Sequence, residues 1–185
     1  VLGTPKPISE IDANMIKPTT TYPGMGGGTN IYRALEVARD QIEKFVSEAE
    51  KKKIRSIDPY IATIILMTDG CHNLGPDKDQ VVDLAEQLKN SKIRIVTIQY
   101  GTEDKAGPEG WCPDFTLSLA SYEDGIYRRR LESRLKEKGL KFEDLFKEPP
   151  GPGSKKLYVE TFKQEVLEII FTGSTVRSLR ESSEG

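Results

Sequence analysis

One histidine, two cysteines and a net charge of only −2 are the scarcities that narrow this 185-residue chain most. His72 has no candidate nucleophile near it except the adjacent Cys71, and neighbours on a loop rarely reach the geometry of a Cys–His pair. A hydrolase built on Cys71 and His72 is therefore the weakest reading, and the chain is expected not to be an enzyme. Cys71 and Cys112 are too few for a disulfide framework, and with His72 they lack the spaced pairs of a zinc site. Both follow predicted strands, so they can share one edge of a sheet; the expectation is nonetheless two reduced thiols. A pI near 5.7 offers nothing to recruit nucleic acid or an acidic membrane surface. The longest apolar run, Ile61–Met67, is far shorter than a membrane span. The residues Val1-Leu2-Gly3-Thr4-Pro5 carry neither the basic nor the apolar part of a signal peptide. Cytoplasm is the expected compartment, with an extracellular one open if an upstream signal has been removed.

What is present is the composition of one globular domain, 36% hydrophobic and 30% charged. Residues 1–28, rich in Pro, Thr and Gly, read as a lead-in segment. Asn30 or Thr29 then caps a helix whose apolar stripe is Ile31, Leu35, Ala38, Ile42, Phe45 and Val46, ending in the basic run Lys51-Lys52-Lys53. Tyr60–Met67 is continuously apolar, which predicts a strand buried on both faces of a parallel sheet. Pro76 and Asp77 or Asp79 open a second helix with Val81, Val82, Leu84, Ala85 and Leu88 inward. Ile93, Ile95, Val96 and Ile98 form the next strand, the spacing of a parallel crossover. Phe115–Ala120 reads as a short helix, and Leu157-Tyr158-Val159 as a third strand. A final amphipathic helix carries Phe162, Val166, Ile169, Ile170 and Phe171, and 173–185 is a polar tail. Residues 126–153 read as an insertion of alternating charge, expected to be an exposed, partner-facing arm.

Two short loops carry the chemistry. Gly26-Gly27-Gly28-Thr29-Asn30 opens the first helix, and Met67-Thr68-Asp69-Gly70 closes the first strand. A parallel sheet brings the Thr29 hydroxyl and the Asp69 carboxylate to the same edge, where hard oxygen ligands suit Mg²⁺ or Mn²⁺. Taken singly, Thr29 is equally a helix cap and Asp69 equally an Asp-Gly turn. The run Gly24-Met25-Gly26-Gly27-Gly28 lacks the Gly-Lys-Ser/Thr ending of a phosphate-binding loop, and no strand precedes it.

In order and spacing these loops resemble the second and third metal-binding loops of a von Willebrand factor A domain. The stretch Lys92–Gly101 resembles that family's next strand. Phe115–Ala120 with Leu157–Phe162 resembles its last helix–strand–helix passage, so the likeness spans residues 17–172, with 29–172 the domain. The resemblance implies an α/β fold, a mostly parallel sheet flanked by helices in a Rossmann-like arrangement. It implies that Thr29 binds a divalent ion directly and that Asp69 acts through a coordinated water. Gly28, Asn30, Thr68, Gly70 and His72 would shape a partner-binding rim, with Asn73 a similar candidate. The implied function is a metal-dependent protein-binding module whose open coordination position takes an acidic side chain of the partner.

The family's first loop, Asp-x-Ser-x-Ser, has no counterpart here, nor do its N-terminal strands. The expectation is that an N-terminal piece is missing, supplied by a companion chain or removed. The alternative is a metal-independent scaffold or regulatory subunit that docks through the charged insertion, sensitive to charge reversal at Arg128, Arg129 and Arg130.

Overall fold

A computed structural model describes residues 28–51, 62–100, 111–146, 155–161 and 163–174 of the chain. Among them run α1 (Ile31–Lys51), β1 (Thr63–Thr68), α2 (Lys78–Asn90), β2 (Arg94–Gln99), α3 (Pro113–Leu119), α4 (Gly125–Glu137), α5 (Phe142–Leu145), β3 (Tyr158–Glu160) and α6 (Gln164–Ser174). The three strands form one parallel sheet in the order β1-β2-β3. Its register pairs Thr63 with Arg94, Thr68 with Gln99 and Gln99 with Glu160. This confirms a mixed α/β architecture with a small parallel sheet flanked by helices. Residues 1–27 of the lead-in segment, Lys52 and Lys53, Tyr60, Ile61 and Phe162, residues 147–153 of the insertion, and the tail from 175 lie outside the described residues.

The side-chain period of two sorts the sheet into two apolar layers. Ile64, Leu66 and Ile95 join Ile31 and Leu35 of α1, Val81, Leu84, Ala85 and Leu88 of α2, and Leu119 of α3. Val96, Ile98 and Val159 face the opposite layer, with Tyr127, Leu131 and Leu135 of α4, Phe142 and Leu145 of α5, and Val166, Ile169 and Ile170 of α6. β2 is buried at every position, although Arg94, Thr97 and Gln99 punctuate its apolar residues, because a strand lies on each side of it and an apolar layer on each face. β1 is not: Thr63 and Ile65 are only half-buried and Met67 is 49% exposed. The expected burial on both faces is reached only in part: among the described residues β1 pairs only with β2, and on its second face Ile65 packs against the rim of the α4–α6 layer without being fully covered. The stripe of α1 is likewise buried only at its start, and Phe45 is 61% exposed.

The charged insertion is the larger correction. Instead of forming an exposed arm, α4 and α5 are part of the core: Tyr127, Leu131, Leu135, Phe142 and Phe146 are each at most 1% exposed. Tyr127, Leu131 and Leu135 recur every four residues and so lie along one helix face, beneath a surface of charges. Asp124 anchors the helix. One carboxylate oxygen accepts from the N–H groups of Ile126 and Tyr127, and the other from Arg94 Nε and Nη2 at 2.8 and 2.7 Å. Arg94 is 6% exposed; it also donates to Thr63 Oγ at 3.0 Å and stacks over the Tyr127 ring at 4.8 Å. Arg128, expected to face a partner, is held by Glu132, Glu123 and Glu143 of its own chain and lies 5.0 Å over the Phe142 ring.

Candidate functional site

The carboxyl edge of β1 continues into a loop, residues 69–76, that is fastened to the start of α1. The N–H groups of Asn73 and Leu74 both donate to the Thr29 carbonyl, at 3.0 and 3.3 Å. In return the Thr29 N–H donates to Asn73 Oδ1 at 2.6 Å. His72 supplies a second fastening. Its Nδ1 accepts the Ile31 N–H at 3.0 Å, and its Nε2 donates to the Pro76 carbonyl at 2.6 Å. The partners assign the neutral tautomer with the proton on Nε2. His72 is thus an unusual helix cap, satisfying an amide that α1 itself cannot.

These bonds show which side chains cap α1 and close the turn around Asp69. The cap of α1 is Asn30, whose Oδ1 accepts from the Arg33 N–H at 2.9 Å, so the Thr29 hydroxyl is not used for capping. The turn around Asp69 is closed by Thr68, whose hydroxyl donates to the Gly70 carbonyl at 2.7 Å and accepts from the Gly70 N–H at 3.2 Å. Asp69 is exposed and Thr29 half-buried. Among the described residues no hydrogen bond or ion pair engages the Thr29 hydroxyl or the Asp69 carboxylate.

Of the expected rim, Gly28 and Asn30 are exposed and Gly70 is half-buried. Thr68 and His72 are corrections: at 7% and 6% exposure they lie beneath the loop and hold it, because their polar atoms are spent on its backbone. Gly75 has φ +95°, a conformation that favours glycine, and a side chain there would meet Asn30. Leu74 covers Gly28 and is itself 51% exposed.

The two cysteines form a disulfide, Cys71–Cys112, with a Cα–Cα distance of 5.3 Å. This overturns the expectation of reduced thiols. The β1 and β2 exits lie side by side in the sheet, which brings the two sulfurs to one edge as their positions after strands allowed. The bridge spans a sequence separation of 41 and on chain entropy contributes about 4 kcal/mol. Lys78 Nζ lies 3.7 Å from Cys112 Sγ and 5.4 Å over the Phe115 ring, which also meets His72 at 6.3 Å.

Sequence reasoning missed Gln99 and Thr97, which bring polar atoms into the buried end of β2. Gln99 Oε1 accepts from Thr116 Oγ at 2.8 Å, while Gln99 Nε2 and Thr97 Oγ have no partner among the described residues. The signal was there: Thr97 and Gln99 interrupt an otherwise apolar strand on one face.

No group of three or more His, Cys, Asp or Glu is placed to hold a metal among the described residues. Thr29 and Asp69 are a hydroxyl and a carboxylate, hard donors that suit Mg²⁺ or Mn²⁺ but fill only two of six positions. No family model, curated protein or solved structure matches the chain.

Proposed function

We propose that the carboxyl edge of the sheet is a protein-binding surface assisted by a divalent cation, of the von Willebrand factor A type. The observation that carries this reading is a pair of oxygen groups, unengaged among the described residues, on two loops tied to each other. Among the described residues, Thr68, His72 and Asn73 Oδ1 are spent on holding those loops, and Asn30 Oδ1 on capping α1. Thr29 would bind Mg²⁺ or Mn²⁺ directly and Asp69 would bind it through a water. The ion's chemistry is Lewis-acid bridging to an acidic side chain of the partner, with no turnover. With one formal charge and two protein ligands, affinity in this chain alone is of millimolar order.

The remaining ligands would come from a companion segment carrying an acidic loop. Support for such a companion is the half-exposed second face of β1, an apolar edge strand that natural sheets rarely leave uncovered. No helix among the described residues is long and apolar enough to cross a membrane. The disulfide favours an oxidising compartment over the cytoplasm.

The test is retention of proteins from the natural source on immobilised chain, in Mg²⁺ and in chelator, for the wild type and Asp69→Ala. A partner held only by the wild type in Mg²⁺ is expected. Retention indifferent to both chelator and Asp69→Ala contradicts the proposal and favours the metal-independent scaffold.

A further inference from the structure

The disulfide lies two residues from Asp69, and its two sulfurs differ in environment. Cys71 is 6% exposed, between Gly70 and the buried His72. Cys112 is only half-buried, and the Lys78 ammonium lies 3.7 Å from its sulfur. That ammonium places a counter-charge beside the sulfur at which exchange would place negative charge. Cys71 has no such neighbour among the described contacts, and its position closes it to an outside reagent.

We propose that Cys71–Cys112 is a thiol–disulfide exchange site for a small thiol of the glutathione class. Cys112 is the sulfur that meets the reagent, Cys71 is the resolving sulfur, and the state of the bond sets how firmly loop 69–76 is held against Thr29.

In the reducing direction a thiolate RS⁻ attacks Cys112 Sγ. The Cys71–Cys112 bond breaks, its electron pair leaves on Cys71, and that thiolate takes a proton from water. A second RS⁻ attacks the outer sulfur of the mixed disulfide, giving RSSR and a Cys112 thiolate beside Lys78. Two thiols are oxidised and one protein disulfide is reduced. The oxidising direction reverses both steps, with the Cys112 thiolate attacking RSSR first.

The consequence follows from the bonds around the bridge. With the disulfide closed, loop 69–76 is fixed by the bridge, by His72 and by three hydrogen bonds to residue 29. With it open, one covalent tether is lost and the hydrogen bonds remain, so the loop opens more often without the sheet coming apart.

The experiment uses the full chain and oxidised glutathione, read by intact mass. Cys71→Ala is expected to form a mixed disulfide at Cys112 at least tenfold faster than Cys112→Ala forms one at Cys71. Lys78→Met in the Cys71→Ala background slows the reaction several-fold. In parallel, hydrogen exchange is compared for the oxidised and reduced wild type. The Asn73 and Leu74 amides are expected to lose at least tenfold of their protection on reduction, while β2 amides keep theirs. Equal reactivity of the two cysteines overturns the assignment. Unchanged Asn73 and Leu74 protection overturns the coupling, and loss of β2 protection shows a purely structural bridge and overturns it too.

Discussion

At the scale of single residues, the site divides into groups that hold and groups that are left over. His72 holds: His72→Ala leaves the Ile31 N–H without its acceptor and removes the link to Pro76. The expected cost is about 2 kcal/mol in urea unfolding. Thr97 is a different case, because its buried hydroxyl has no partner among the described residues. Thr97→Val keeps the shape and removes the desolvated oxygen, so the expected change is a gain of about 1 kcal/mol, read by the same titration. Tyr158 is 1% exposed and donates to Glu160 at 2.8 Å; burial first, then this bond, holds the phenol protonated far above its ordinary value of 10.0. The folded state then keeps a proton that the unfolded chain releases. That stability is complete below pH 10 and is lost as pH climbs above it. Tyr158→Phe is expected to flatten the fall in stability between about pH 9 and 11 relative to the wild type.

Little of this residue-scale detail was legible beforehand. The hydroxyl of Thr29 and the carboxylate of Asp69 stood out because their residue types and loop positions suit an ion. His72 looked like a rim residue because a lone loop histidine carries no sign of the amide it will cap. Only the packing of α1 against the sheet brings Ile31 to it.

At the scale of elements, hydrophobic period was the reliable signal and charge the misleading one. In α2 the expected inward residues Val81, Leu84, Ala85 and Leu88 are all buried, and its start is fixed by a capping box in which Asp77 accepts from the Gln80 N–H at 2.9 Å while Gln80 accepts from the Asp77 N–H at 3.2 Å. Asp77 was one of the expected starts. In α4 the dense charges obscured Tyr127, Leu131 and Leu135, whose four-residue spacing identifies the buried face. Leu131→Ala is therefore expected to cost about 2–5 kcal/mol, a core cavity, in urea or thermal unfolding. A partner-facing arm predicts a change within about 0.5 kcal/mol. Continuous apolarity gave the strand at β1 but not its burial, because a run of apolar residues cannot say whether a neighbour covers its second face.

At the scale of the whole molecule, the described sheet has two edge strands, the short β3 and the longer β1, whose Met67 is half exposed. An apolar edge strand of this kind seeks another strand. The isolated chain is accordingly expected to self-associate at high concentration, and Met67→Lys to lower its apparent mass in light scattering. A companion polypeptide that covers this side would have the same effect. The disulfide and the hydrogen bonds of Thr29 with Asn73 and Leu74 stay within the chain, so the fastening of loop 69–76 to Thr29 persists with or without that companion.

The central claim is that Thr29 and Asp69 together receive a divalent cation. The most direct measurement is a titration of the oxidised chain with Mn²⁺, read by water-proton relaxation, beside Thr29→Val and Asp69→Asn. One saturable site of about millimolar affinity is predicted, weakened by each substitution with the fold unchanged in circular dichroism. Binding that is absent in the wild type, or equal in all three proteins, contradicts the account.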